Sequence, residues 1–183
     1  MRKLIASFFI SLDGVVEAPQ NWHFPYFNDE MGAVVGEAIA ASDAFLLGRR
    51  TYEEWAAYWP TEAAADSPMA GPMNATPKYV VSTSLDAVAW QNSTLLDDDL
   101  ATAVTELKEK PGKNIGMSGS ATLVRSLLEL GLVDELRLLV HPLVVGSGAK
   151  LFEPGTAPVS LELAEARTFS TGVVDLTYRR VAA

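Results

Sequence analysis

In Asn114-Ile115-Gly116-Met117-Ser118-Gly119-Ser120-Ala121-Thr122-Leu123, an apolar run gives way to small residues just where a helical pattern begins, and that pattern continues through Leu127 and Leu128. A strand running into a helix in this way leaves the first-turn amides unpaired and pointing outward, with partial positive charge. Residues as small as Gly119 and Ser120 let a phosphate approach those amides. An ordinary tight strand-to-helix turn has the same composition, so this segment alone does not decide. A second segment of the same kind follows the short apolar run Ala44 to Leu47. There Gly48-Arg49-Arg50 leads into Thr51-Tyr52-Glu53-Glu54, with Thr51 and Glu54 at the spacing of a capping box. Arg49 and Arg50 add fixed charge and planar donor sets, and the Thr51 hydroxyl adds a short hydrogen bond. Two helix starts reached from strands match the two phosphates of a dinucleotide bridge.

The elements that must hold these residues follow from the hydrophobic pattern. Lys3 to Ile10 is nearly continuous in apolar residues, as in a strand covered on both faces, and ends at Asp13-Gly14. Residues 17–27 have prolines, aromatic side chains and no period, so they read as a loop. Met31 to Ala41 carries Val34, Val35, Ala38 and Ile39 at helical spacing. Residues 60–77, with prolines among alanines and small polar residues, read as a long surface loop. Strands are predicted over Lys78 to Thr83 and Ser93 to Leu96, and Asp97-Asp98-Asp99 favours the start of a helix with Leu100, Val104 and Leu107 on its apolar stripe. Pro111-Gly112 stops that helix, a helix over Ser120 to Leu130 ends at Gly131, and Leu136 to Val140 returns to strand composition. Val159 to Phe169 and Val173 to Val181 alternate around Ser170-Thr171-Gly172 as an antiparallel hairpin. The order predicts an α/β fold with three layers: a central mixed, mostly parallel sheet, helices on both faces, and a C-terminal antiparallel hairpin.

Composition narrows the function classes. The chain has 183 residues and 49% hydrophobic content, enough for one compact domain spanning 1–183. A net charge of -9, from 14 basic against 23 acidic side chains, argues against nucleic acid as a partner. With no cysteine and two histidines, a disulfide framework, thiolate chemistry and a usual transition-metal site are not expected. The first apolar run is broken by Ser7, Ser11 and Asp13 and has no cleavage pattern, so we expect a cytoplasmic protein that does not enter the membrane.

Read together, Ser11-Leu12-Asp13-Gly14, Leu47-Gly48-Arg49-Arg50-Thr51-Tyr52-Glu53, Val80-Val81-Ser82 and Ser118-Gly119-Ser120 resemble the dihydrofolate reductase superfamily. Leu130 to Leu136 and Leu143 to Phe152 bring the resemblance closer to the reductase domain of the riboflavin-biosynthesis deaminase/reductase. No deaminase segment precedes these motifs, so only the reductase half carries over. The resemblance implies NADPH as hydride donor and a pterin-like or pyrimidine-like heterocycle as substrate, reduced at a C=N or C=O bond. It implies that Gly48, Arg49, Arg50 and Thr51 hold one side of the diphosphate, and Ser118, Gly119, Ser120, Ala121, Thr122 and Leu123 the other. Ser11, Leu12, Asp13 and Gly14 would lie along the nicotinamide ring, although Asp-Gly is also a favoured turn pair without a ligand. Ser82 and Thr83 would meet the adenosine ribose. Relatives often carry an arginine there, so charge pairing to a 2′-phosphate must come from elsewhere, such as Arg49, and the choice between NADPH and NADH stays open.

The resemblance also places Trp22, Phe27, Gly146 and Lys150 beside the substrate. Hydride delivery to C=N leaves a nitrogen that needs a proton. In the register of Trp22-His23-Phe24-Pro25-Tyr26, the substrate-binding carboxylate of dihydrofolate reductases falls on Phe27, which has none. Asp29 is therefore the candidate acid, against the alternative of a helix-dipole partner. His23 reads as a satisfied loop residue and His141 as the end of a strand. The rivals are a dihydrofolate reductase proper, which the missing acid argues against, and a nucleotide sensor without chemistry. Relatives pair subunits along the hairpin edge, so a homodimer is expected.

Overall fold

The computed structural model describes residues 1–96 and 98–181. Eight strands form one sheet: β1 (Leu4–Ser11), β2 (Ser42–Gly48), β3 (Lys78–Val81), β4 (Ser93–Leu96), β5 (Asn114–Met117), β6 (Glu135–His141), β7 (Leu161–Thr168) and β8 (Val174–Arg180). Their order is β4-β3-β2-β5-β1-β6-β8-β7. The first six run parallel, and β8 pairs antiparallel with both β6 and β7. This is the mixed sheet with a C-terminal hairpin that the sequence predicts.

Among the described residues, five α-helices connect it: α1 (Asp29–Ala40), α2 (Arg49–Tyr58), the short α3 (Ala70–Ala75), α4 (Leu100–Glu109) and α5 (Ala121–Glu129). Alternate residues of β1 sort the two faces. Leu4, Ala6, Phe8 and Ile10 pack with Val104 and Leu107 of α4 and Val124 and Leu127 of α5, whereas Phe9 packs with Met31 and Val34 of α1. On the same face as α1, Phe45 and Leu47 pack with Tyr52 and Trp55 of α2. Crossovers moving one way along the sheet carry α1 and α2, and those moving back carry α4 and α5, as right-handed connections require.

Several boundaries differ from the sequence reading. The first helix begins at Asp29, because the Asn28 side chain accepts the Met31 amide and caps it. The capping box at Thr51 does not form: Gly48 is the cap of α2, and Thr51 sits inside the first turn. Residues 60–77 are not all loop, since they contain a 3₁₀ turn at Glu62–Ala64 and α3. The strand predicted to reach Thr83 ends at Val81, and Ser120 caps α5 from a left-handed conformation. Asp99 caps α4 by accepting the Ala101 and Thr102 amides, while Asp97 lies outside the described residues.

One buried charge stands at the start of β3. Lys78, fully buried, donates to the carbonyls of Met73 and Asn74 at the end of α3 and lies over the Trp90 ring. Its ammonium therefore closes a helix C-terminus, where a cation is favoured.

Candidate active site

Parallel strands β1, β2, β3, β5 and β6 all end on one edge of the sheet, and their C-terminal ends bring the predicted segments together. Gly48 aligns with Val81, so the residues after β2 and after β3 are neighbours. β2 also pairs with β5, which sets Gly48 beside the Ser118-Gly119-Ser120 turn. In open α/β sheets, ligands bind outside this edge.

The two helix starts are joined directly. The Gly48 amide donates to Ser120 Oγ at 2.8 Å, the Ser120 amide donates to Thr51 Oγ1 at 2.8 Å, and the two hydroxyls are 2.9 Å apart. Thr51 is therefore turned inward and buried. Its oxygen accepts the Ser120 amide and the Ser120 hydroxyl and so holds the second turn in place. Gly119 (φ 66°) and Ser120 (φ 42°) are both left-handed. A serine in that region is strained by about 1 kcal/mol or more, and the three bonds around it over-determine the conformation. The first bond of α5 runs from the Val124 amide to the Ser120 carbonyl, so the amides of Ala121, Thr122 and Leu123 precede the helical ladder. Arg49 is partly exposed and paired with Glu53 at 3.0 Å, and Arg50 is exposed. Ser82 accepts the amides of Ser84 and Leu85, which closes its own turn, while Thr83 is exposed.

A third turn leaves β1. Ser11 is buried, and its hydroxyl donates to Asp13 at 2.6 Å and accepts the Val15 amide at 2.9 Å. Asp13 also accepts the amides of Val145 at 3.0 Å and Gly146 at 2.9 Å. The Ser11 hydroxyl, then the Val145 amide, hold its carboxyl down to about 2. Asp13 thus ties the Gly146 loop to the end of β1, and Gly14 (φ 85°) makes the turn between them. Leu12 is left exposed above this turn. Lys150 is exposed and forms an isolated antiparallel bridge with Val15.

Between α1, α2 and the sheet lies a cavity of about 470 Å³, with Phe9, Val35, Trp55, Trp59, Gly116 and Ser118 among its lining. Gly116 on its floor leaves room for the Phe45 ring, which a Cβ there would approach to 3.3 Å. Because Ser118 belongs to both the cavity and the β5 turn, the cavity adjoins the joined helix starts. Asp29 stands exposed in the first turn of α1, and Phe27, 46% exposed, packs over Gly32 of the same helix.

His141 ends β6, as the sequence predicts, and the fold brings it together with His23. His23 stacks on Phe9 with ring centroids 4.5 Å apart, and His141 meets Phe9, Trp22 and Tyr26 edge-on. His141 Nδ1 lies 2.8 Å from the Leu139 carbonyl, which can only accept, so Nδ1 carries the proton. His141 Nε2 and His23 Nδ1 are buried without a hydrogen-bond partner. His23 is therefore not the satisfied loop residue expected. Burial, then the charge of His141, pushes the His23 imidazole down to about 4, and burial also lowers His141. Trp22 donates its ring N–H to the Glu17 carbonyl and walls this aromatic box. No pattern of spacing marks such a pair; only the parallel alignment of Ser11 with His141 brings the two ends together.

The RibD C-terminal domain model matches residues 2–174. This chain belongs to the RibD C-terminal domain family. It is 31% identical to the uncharacterized protein YyaP of Bacillus subtilis (strain 168), over 97% of this chain and 94% of that protein. Among solved structures, a putative riboflavin biosynthesis protein from Shewanella sp. PV-4 superposes with a TM-score of 0.78 at 20% identity, covering 98% of this chain and 99% of the other. The diaminohydroxyphosphoribosylaminopyrimidine deaminase/5-amino-6-(5-phosphoribosylamino)uracil reductase of Thermotoga maritima superposes with a TM-score of 0.68 at 13% identity. That match covers 98% of this chain and 57% of the longer protein. At such identities the likeness establishes the RibD-like fold, and no helix among the described residues is long and apolar enough to cross a membrane.

Proposed function

We propose that the protein is an NADPH-dependent reductase of a riboflavin-pathway type, transferring hydride to a C=N or C=O bond of a pterin-like or pyrimidine-like heterocycle. The observation that carries this reading is the direct hydrogen-bonded joining of the two helix starts beside a cavity large enough for one heterocycle. Membership of a reductase-domain family supports it.

The residues present fit a dinucleotide. Amides of Ala121, Thr122 and Leu123 on one side and the first turn of α2 on the other offer donors to two phosphates, with Arg50 exposed alongside. Gly48 and Gly119 have no Cβ where one would meet Ser120 and Thr51, which lets the two helix starts close on each other. The Ser11–Gly14 turn gives the nicotinamide a backbone wall, and Ser82 and Thr83 border the adenosine side. When bound, the coenzyme supplies the hydride. The chain's own part is to orient the two rings, exclude water with Phe9 and Leu12, and provide a proton. Phe27 has no acid, so Asp29 at the start of α1 is the proposed donor; Asp29, Trp22, Phe27, Gly146 and Lys150, which the resemblance sets beside the substrate, are not among the residues that line the cavity.

Asp29→Asn is expected to lower kcat by about tenfold or more while leaving NADPH quenching of tryptophan fluorescence unchanged. An unaltered rate rejects the assignment. Loss of absorbance at the nicotinamide band with a dihydropterin separates a reductase from a nucleotide sensor. We place the enzyme in the cytoplasm as a homodimer paired through the hairpin. β7 is an edge strand exposed along nearly its whole length, with Leu163 54% exposed, which is a surface that pairing would cover. Sedimentation is expected to give twice 19.7 kDa, and a species of 19.7 kDa alone removes the dimer.

A further inference from the structure

The loop after β6 is fastened at both of its ends to the turn after β1. The Leu12 amide donates to the Leu143 carbonyl, the Val16 amide to the Ala149 carbonyl, and the Leu151 amide to the Gly14 carbonyl. Glu17 adds a carboxylate that accepts the Ala149 amide at 2.9 Å. Between those ends, residues 144–148 form a tip that is exposed apart from the partly buried Val145, with Gly146 at φ 85° and Gly148 at φ 117°. Among the described residues, the hydrogen bonds of this tip all go to one side chain. Asp13 Oδ1 accepts the Val145 amide at 3.0 Å, and Asp13 Oδ2 accepts the Gly146 amide at 2.9 Å. The buried Ser11 hydroxyl donates to Oδ1 and fixes the carboxylate from the other side. Both oxygens of Asp13 are thereby engaged in joining the tip to the end of β1.

The resemblance sets Asp13 along the nicotinamide ring and Gly146 beside the substrate. We infer that Asp13 is a positioning residue for the substrate side, whose carboxylate sets where the 144–148 tip stands and which acts through that tip and not on the coenzyme. This rests on the reductase reading of the strand-edge site. Charge-assisted bonds to successive amides fix a short loop in both position and orientation. A displacement of about 1 Å in a group that borders a reacting ring is enough to slow turnover by up to about 100-fold. Asparagine in place of Asp13 keeps the shape but sets an N–H donor against an amide donor, so the tip loses at least one of its bonds. The backbone bonds at Leu143, Ala149 and Leu151 do not involve the Asp13 side chain, so the release is confined to the tip.

The test compares Asp13→Asn with the parent chain in three measurements. Hydrogen exchange of the Val145 and Gly146 amides is expected to be at least about tenfold faster in the variant, and it reports on the tip whether or not a coenzyme binds. NADPH affinity, read from tryptophan fluorescence, is expected to stay within about twofold, while kcat/KM for 6-hydroxymethyl-7,8-dihydropterin at saturating NADPH falls by at least about fivefold. The loss is expected to be equal at pH 5.5 and pH 8, because the parent carboxylate, held down to about 2, is ionised across that range. Gly146→Ala is the second variant: nothing lies within 4 Å of the added Cβ, so only the positive φ opposes it and the tip shifts without a clash. It is expected to reproduce the pattern, and the double variant to be little worse than either single one, because both act through the same tip. Weakened NADPH binding by Asp13→Asn returns the residue to the coenzyme side and overturns the inference. So do unchanged exchange, an unchanged kcat/KM, fully additive losses in the double variant, or a parent that binds NADPH without reducing the pterin. Failure of the parent to bind NADPH would instead sink the reductase reading and the substrate role with it, while exchange still decides whether Asp13 holds the tip.

Discussion

Gly119→Ala is expected to abolish coenzyme binding and to destabilise the fold by about 3 kcal/mol, through two additive insults. The position has φ 66°, which an alanine adopts only under strain, and a Cβ there would stand 2.7 Å from Thr51 Oγ1 and 2.9 Å from Thr51 Cγ2. Relief requires the turn to pull away from α2, which breaks the bonds that Ser120 makes to Gly48 and Thr51. The amides at the start of α5 then no longer face those of α2. Denaturant melts and NADPH titration of tryptophan fluorescence read the two effects separately. A double-mutant cycle with Thr51→Ala assigns the cause: if contact with Thr51 matters, alanine at 119 costs less when that side chain is already shortened. Gly119→Ala that binds NADPH as the parent does would dismantle the joined-turn site, and with it the proposed function.

Stability is expected to fall by roughly 2 kcal/mol between pH 6.5 and pH 4 because of the buried histidine pair. In the unfolded chain an imidazole takes a proton near 6.5, whereas in the fold His23 is held neutral down to about 4. Over that interval the unfolded state binds more protons, so acidification favours unfolding, and the contribution is complete only above pH 6.5. His141, lowered by burial as well, acts in the same direction. Asp13 belongs to a different window: its carboxyl is held down to about 2, so what it contributes is present above pH 4 and is lost only as pH falls toward 2. His23→Phe keeps the stack on Phe9 and removes both the titration and an unpartnered buried nitrogen. At pH 7 it is expected to be neutral or slightly stabilising. Urea midpoints at pH 7, 5.5 and 4.5 check this, and a variant whose acid sensitivity matches the parent's would acquit the histidine.

Local signals were enough for much of the architecture. The apolar runs at Leu4, Ala44, Lys78, Ile115 and Leu136 each became a parallel strand, because a strand covered on both faces is nearly continuous in apolar residues. The alternating tail became the β7–β8 hairpin, but β7 is exposed along nearly its whole length and not buried on one face as its alternation suggests. Small residues after β2 and β5 marked the helix starts, and their order along the chain pointed to the family that the whole-chain match established. Boundaries moved where a side chain outside the periodic stripe did the capping, as Asn28 does for α1.

Pairing across distance was decided only in the folded chain. Thr51 and Ser120 are 69 positions apart, and nothing near either says that one hydroxyl will hold the other's amide and so turn inward. The same holds for His23 and His141, whose neutral state comes from burial by Phe9, Trp22 and Tyr26, and for Arg137 and Arg179, whose charge is taken up by acids on the neighbouring strand. Sequence thus determined which chemical groups this protein has and which element carries each. Sheet order decided which of them are left free to meet a ligand, because desolvation and charge pairing depend on neighbours in space and not on neighbours in the chain.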